Sequence, residues 1–205
     1  MKPSLGEVLE RRLGAPSRIL ILVAAVCLVP VYSAPLWNMT MFAPQYPDGL
    51  RLDIYSHKLE SGNHGQDIKE INLLNHYIGM RDLAAEDFTE FKWMPFAIGA
   101  LILLLLRAIV FGKLYNLVDV MALFGYFGLF SLWSFVYKLY RYGHDLSASA
   151  AVKVAPFTPP VFGHSKMANF DVYSYPAIGS YGMAVSGAAL AAALVLAVIG
   201  GRRPR

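Results

Sequence analysis

All five histidines of this 205-residue chain, His57, His64, His76, His144 and His164, fall outside its long apolar blocks, and so do Met39, Met41, Met80 and Met167. Imidazole nitrogen and thioether sulfur are ligand types that suit copper. Met39-x-Met41 and His76-x3-Met80 are spacings that can bring two ligands to one face of a strand or a helix. His76 and Met80 are therefore the candidate metal pair, with copper as the one cofactor that the residue types suggest. The competing reading makes Asn75, His76 and Tyr77 a hydrogen-bonded core of an extramembrane domain. A second cluster, Asp82, Glu86, Asp87 and Glu90, is spaced as a solvated acidic helix face, which suits docking of a basic partner better than acid–base work. No G-x-S-x-G, P-loop or H-E-x-x-H motif occurs, so no catalytic residue is assigned and the chain is not read as an enzyme. Its single cysteine, Cys27, lies inside an apolar block. That excludes an internal disulfide, cysteine-based zinc and iron–sulfur sites, and c-type haem attachment. The apolar blocks hold no histidine to serve as an axial haem ligand.

The elements that must position these side chains are written in the hydropathy. Hydrophobic residues make up 56% of the chain and charged ones only 16%, and the apolar residues come in blocks, as in membrane proteins. Four blocks approach the ~20 residues needed to cross a bilayer. The expected organisation is a leader over 1–18, spans at 19–37, 93–111, 117–137 and 178–200, a turn at 112–116 and a tail at 201–205. Two extracytoplasmic loops complete it, at 38–92 and 138–177. Charged residues near the start and Ser33-Ala34 give residues 18–34 the look of a cleaved signal, but Pro35 disfavours cleavage, so a retained helix kinked at Pro30 is expected.

Charge sets the orientation. With both termini cytoplasmic, that side holds nine basic residues, among them Lys2, Arg11, Arg12, Arg18, Arg202, Arg203 and Arg205, against Glu7, Glu10 and Asp119. The other side holds the remaining nine basic and eleven acidic residues. This is the positive-inside pattern of a multi-pass protein of a bacterial cytoplasmic membrane, with large loops in the periplasm. The net charge of +4 is thus a lipid signal and not a nucleic-acid footprint. Arg107 and Asp119 flank the short turn and are expected to form an intramembrane pair or to reach toward the headgroups.

The fold class expected is an all-α membrane protein, four spans with a small mixed α/β extracytoplasmic domain built from the two loops. In the first loop, Pro44–Gly49 reads as a turn and Leu50–Tyr55 alternates as a half-buried strand. Asp67 is placed to cap a helix whose apolar face is Ile68, Ile71, Leu74 and Ile78, and Gly79 to stop it. Phe170–Tyr175 alternates as a second strand, expected to pair with Leu50–Tyr55. The run from Pro156 to Pro160 is stiff and extended, available to a partner at low entropic cost. The third span carries Phe124, Tyr126, Phe127, Phe130, Trp133, Phe135 and Tyr137, a packing surface against the other spans or a quinone or lipid slot. Tyr77, Phe157, Phe162, Phe170 and Tyr173 are more aromatic surface than one small domain can easily bury, and form the candidate partner-binding set.

The segments APQYPDGL, EINLLNHYIGM, APFTPP and MANFDVYSYP resemble the NosB-like four-helix membrane proteins of clade II nitrous oxide reductase gene clusters. The resemblance spans both loops and the number of spans. It implies an accessory or anchoring subunit that binds periplasmic nitrous oxide reductase, a copper enzyme, and supports its activity, electron supply or maturation. It transfers no catalytic residue. A quinol-interacting redox subunit and a copper-handling membrane protein are the alternatives.

Overall fold

The computed structural model describes residues 4–167 and 170–200. Lys2 and the arginine-bearing tail 201–205 lie outside the described residues. A short helix, α1 (Leu5–Leu9), opens on a capping box in which the Ser4 amide donates to the Glu7 carboxylate at 2.9 Å and the Glu7 amide to the Ser4 hydroxyl at 3.3 Å. Four helices are long and apolar enough to cross a membrane. These are α2 (Ala15–Leu28, continued by a 3-10 turn over Val29–Tyr32), α4 (Glu90–Phe111), α5 (Leu114–His144) and α6 (Ile178–Gly200). Pro30 lacks the amide an α-helix needs at its level, and the chain tightens there rather than kinking and continuing.

The helices pack α2 against α4 and α6, and α5 against α4 and α6. Ile21, Leu28, Ile98, Leu105, Leu117 and Leu190 fill the centre. Between α2 and α6 the approach is close. A Cβ on Gly182 would lie 2.8 Å from the Cys27 carbonyl oxygen, and Ser186 donates to the Ala24 carbonyl. Small residues permit such contact where no water drives helices together. At the end away from the sheet, the N-terminal segment closes the α4–α5 turn: the Leu13 amide donates to Gly112 O at 2.7 Å and the Leu114 amide to Arg11 O at 2.9 Å.

The other end carries a five-stranded antiparallel sheet, in the order β3 (Leu59–Ser61), β2 (Tyr46–Ile54), β1 (Trp37–Ala43), β5 (Phe170–Pro176), β4 (Gly163–Met167). The two expected strands do not pair with each other. Residues 37–43, expected as the end of a span and a loop, form the central strand and lie between them, with Met39 opposite Leu52 on one side and Ser174 on the other. Because β1 continues α2 and β5 leads into α6, the sheet grows directly out of two packed helices. The junction is knitted by Leu36 N to Ile54 O (2.7 Å), Ala177 N to Leu36 O (2.9 Å) and Gly179 N to Pro35 O (2.8 Å).

The helix α3 (Gly62–Ile78) covers one face of the sheet, and Ile71 packs with Met39, Leu50, Leu52 and Val172 in a second core. Its first turn is left-handed at Asn63, His64 and Gly65 (φ 51°, 55° and 90°), so the right-handed helix starts near Asp67. Tyr46 ties α3 to the start of β2 through its hydroxyl, which donates to the Glu70 carboxylate at 2.5 Å. That carboxylate, and then burial, raises the tyrosine's pKa above its ordinary value. The α5 helix also differs from expectation. At 1.5 Å per residue its 31 residues span about 46 Å, well beyond ~30 Å of hydrocarbon. Lys138 and Arg141 end the apolar run but not the helix, whose end is held by Leu139 in the sheet core and by Phe135 against the Trp37 ring (5.1 Å between centroids).

Candidate functional site: the outer sheet face and the cavity beneath it

Strand alternation gives the sheet two unlike faces. Toward α3 point Met39, Leu50, Leu52, Val172 and Ser174, all buried. Ser174 accepts from the Trp37 indole at 2.8 Å and donates to Val161 O at 3.1 Å, so its buried hydroxyl is satisfied. Away from α3 point Phe42, Tyr173 and Tyr175, each more than a third exposed, with Phe162, 67% exposed, just before β4. Their rings touch one another: Phe42 meets Tyr173 edge-on at 5.7 Å, Tyr173 stacks on His164 at 4.5 Å, and Phe162 meets Tyr175 edge-on at 5.5 Å. Polar groups lie among them. His164 Nε2 is 2.9 Å from Asp171 Oδ1, and Arg51 Nε is 3.0 Å from Asp53 Oδ2. Gly49 (φ +79°) leaves room for Phe42, whose ring lies 2.8 Å from where a Cβ would be.

This geometry divides the expected partner-binding set. Phe162 and Tyr173 stand on the outer face, while Phe42 and Tyr175, which the sequence reading passed over, stand beside them. Phe170 packs inward against the sheet core, because its place in the alternation matches Val172 and Ser174. Phe157 is half-buried, and its amide donates to Gly143 O at 3.0 Å. The Pro156–Pro160 run is thus already laid on the end of α5, not free to order on a partner. Tyr77 is half exposed, but on α3, and its carbonyl accepts the Val152 amide at 2.9 Å.

The two residues of the candidate metal pair have different surroundings. His76 is exposed, whereas Met80 lines an apolar cavity of about 100 Å³ with Met39, Met41 and Met167. Adaptable thioethers filling an irregular core account for that lining. Among the described residues no three His, Cys, Asp or Glu side chains converge on a common point. The Asn75–Tyr77 stretch ties loops instead. Asn75 Nδ2 donates to Arg81 O at 3.3 Å, Asn72 Oδ1 accepts from Leu83 N at 2.8 Å, and Gly79 O accepts from Ser147 N at 2.8 Å. Nor do Arg107 and Asp119 form an ion pair among the described residues. They lie on different helices with both side chains exposed, and the Arg107 guanidinium sits 5.5 Å over the Phe111 ring.

The acidic cluster does not form one solvated helix face. Asp87 Oδ1 meets Arg81 at 3.4 Å, and the largely buried Glu90 meets Lys138 at 3.2 Å and accepts from Ser134. Lys138 also donates to Asp87 O at 2.8 Å and lies 5.0 Å over the Phe88 ring. This pair caps a second cavity, of about 190 Å³, between the sheet junction and the upper turns of α4, α5 and α6. The aromatic residues of α5 separate around it. Phe127 and Phe135 line it, while Tyr126, Phe130, Trp133 and Tyr137 stack on one another along the exposed side of the helix. No protein-family profile, no curated protein and no solved structure matches this chain.

Proposed function

We propose that this chain is a membrane-anchored docking subunit whose exposed sheet face binds a periplasmic enzyme, nitrous oxide reductase being the partner implied by the sequence resemblance. In this reading the protein sits in a bacterial cytoplasmic membrane with both termini in the cytoplasm and the sheet in the periplasm. It performs no chemical step itself and supports the enzyme's activity, electron supply or maturation by holding it at the bilayer. The observation that carries the reading is the outer face of the sheet, where Phe42, Phe162, Tyr173 and Tyr175 are exposed together amid paired charges. Contiguous exposed aromatic surface with a polar surround is the composition of a partner site. The knitted junction to α2 and α6 makes that face rigid relative to the anchor, which lowers the ordering entropy lost on binding.

The test is binding of purified nitrous oxide reductase from the same gene cluster to the full-length chain in mild detergent. Replacing Phe162 and Tyr173 together by Ala is expected to weaken binding at least ~30-fold, since one aromatic anchor contributes about 2 kcal/mol on truncation. Tyr77→Ala, on the far side of the sheet, is expected to leave it unchanged. Equal retention by the double variant, or no binding by the wild-type chain, overturns the proposal.

A further inference from the structure

We infer that the cavity under the sheet is a binding site for the carbonyl end of a membrane amphiphile, its apolar chain leaving between α5 and α6. Its position is the first argument. The walls come from the first turns of α4 (Glu90, Phe91, Met94), the first turns of α6 (Ser180, Met183) and the α5 stretch from Phe127 to Lys138. That is the sheet end of the spanning helices, the depth at which the ester carbonyls of a bilayer lie. Leu132, half exposed, stands at the rim on the side of lipid. Below it α5 and α6 close up, a Cβ on Gly187 meeting Phe124 at 3.2 Å, which gives the cavity a floor.

The second argument is chemical. Nearly all of the lining is apolar, yet Ser131 Oγ is buried there with no hydrogen-bond partner. Buried hydroxyls are normally satisfied, and one left without a partner calls for an explanation. Of the other polar groups at the site, Lys138 has Asp87 O and Glu90, Ser180 donates to Leu36 O at 2.6 Å, and Glu90 Oε2, an acceptor that receives no hydrogen bond, faces the Lys138 ammonium at 3.2 Å. One free donor in an apolar recess fits one carbonyl oxygen. The Lys138 ammonium and the Glu90 carboxylate at the upper wall offset each other, so the pair adds no net charge and the site suits a neutral acceptor better than an anion.

The third argument is a missing side chain. Gly128 lines the cavity, and a Cβ there would meet nothing within 4 Å. Glycine in mid-helix is unfavourable by itself, and here it leaves open space against the recess. Gly125, one turn lower on α5, is equally open but does not line the cavity. The two glycines therefore provide a matched pair: Leu at 128 fills the site, whereas Leu at 125 does not.

A phospholipid ester and an isoprenoid quinone both present a carbonyl on an apolar chain, and the experiment separates them. The full-length chain, reconstituted in phosphatidylcholine nanodiscs, is titrated with decyl-benzoquinone, or exchanged into nanodiscs of increasing dibrominated phosphatidylcholine content. Tryptophan fluorescence is read with Trp93 and Trp133 replaced by Phe throughout, so that the signal comes from Trp37, which lines the cavity. Saturable quenching by the quinone, lost in Gly128→Leu and kept in Gly125→Leu, supports the site with a quinone as occupant. Saturable quenching by the brominated lipid alone, with the same dependence, supports it with a phospholipid. Ser131→Ala, which leaves the volume intact, is expected to weaken the effective probe roughly 3- to 10-fold, as loss of one hydrogen bond does. Quenching that never saturates, or that Gly128→Leu and Gly125→Leu alter equally, overturns the inference. So does unchanged affinity in Ser131→Ala.

Discussion

Asp67→Ala is expected to lower the stability of the sheet domain by about 3 kcal/mol or more. The carboxylate is almost wholly buried, 2% exposed, and each oxygen has a defined donor. Oδ2 accepts the backbone amide of Arg51 in β2 at 2.9 Å, and Oδ1 accepts Nδ2 of Asn63 at 2.7 Å. Hydrogen bonds to a charged acceptor are worth ~1.5–3 kcal/mol each, and removing the acceptor strands a donor in the interior. The Asn63 bond has a further role: it holds in place the left-handed turn through Asn63, His64 and Gly65, which L-residues adopt at a cost of ~1–2 kcal/mol apiece. Gly62 completes the fit, since a Cβ there would lie 2.2 Å from Oδ2. Hydrogen exchange of the β2 amides in mild detergent measures the opening free energy directly. Asp67→Asn keeps one acceptor oxygen for two donors and is expected to lose about half as much. A loss below about 1 kcal/mol for the alanine variant would show that Asp67 does not clamp α3 to the sheet.

Asp67 also shows where sequence reasoning reached and where it stopped. Its place before an apolar-periodic run marks a helix start, and the right-handed helix does begin beside it. That its carboxylate reaches a strand sixteen residues earlier is a tertiary fact with no local signature. The central strand is a different kind of omission. Trp37, Met39, Met41 and Ala43 alternate with Asn38, Thr40 and Phe42 at the strand period, so the signal was present. It was hidden because Trp37 closes an apolar block that reads as a span, and because Phe42, on the outward side of the alternation, is itself apolar and blurs the period. The spans were legible because twenty apolar residues in a row have few alternatives. The true end of α5 was not, because a helix leaving the bilayer changes its solvent while its backbone continues unbroken, and only the sheet it packs against decides how far it goes.

For the outer face of the sheet the same limit applies to orientation. Composition shows that aromatic residues exceed what a small domain can bury, but which of them face outward depends on strand register, and one position reverses the side. Phe170 and Tyr173 lie three residues apart on β5 and point to opposite faces. Register also joins Phe42 on β1 to Tyr173 on β5 across the ladder, near the Thr40–Tyr173 and Phe42–Asp171 pairs. A surface assembled from neighbouring strands in this way cannot be read from any one segment.

Gly79→Ala is expected to part the two loops from each other at a cost of about 2–5 kcal/mol. Gly79 ends α3 in the left-handed region at φ +78°, where an L-residue is unfavourable by ~1–2 kcal/mol. The larger objection is crowding. A Cβ at this position would lie 2.8 Å from Ala150 Cβ, 2.9 Å from Ser147 O and 3.0 Å from Ser147 N. All three atoms belong to or sit directly on the backbone of the second loop, so the loop must move as a unit, and overpacking of this kind adds ~1–3 kcal/mol. What moves is the seam of the domain, because Ser147 N donates to Gly79 O at 2.8 Å and Val152 N to Tyr77 O at 2.9 Å. Protection of the Ser147 and Val152 amides against hydrogen exchange is therefore expected to fall at least tenfold, while the spanning helices keep theirs. Gly79→Asn divides the two causes. Asparagine tolerates the left-handed conformation but brings the same Cβ, so it is expected to part the loops nearly as much as alanine does. If asparagine restores protection, backbone conformation alone demands the glycine. If alanine itself leaves both amides within threefold of wild type, the close contact between the loops at Gly79 does not exist in the folded protein.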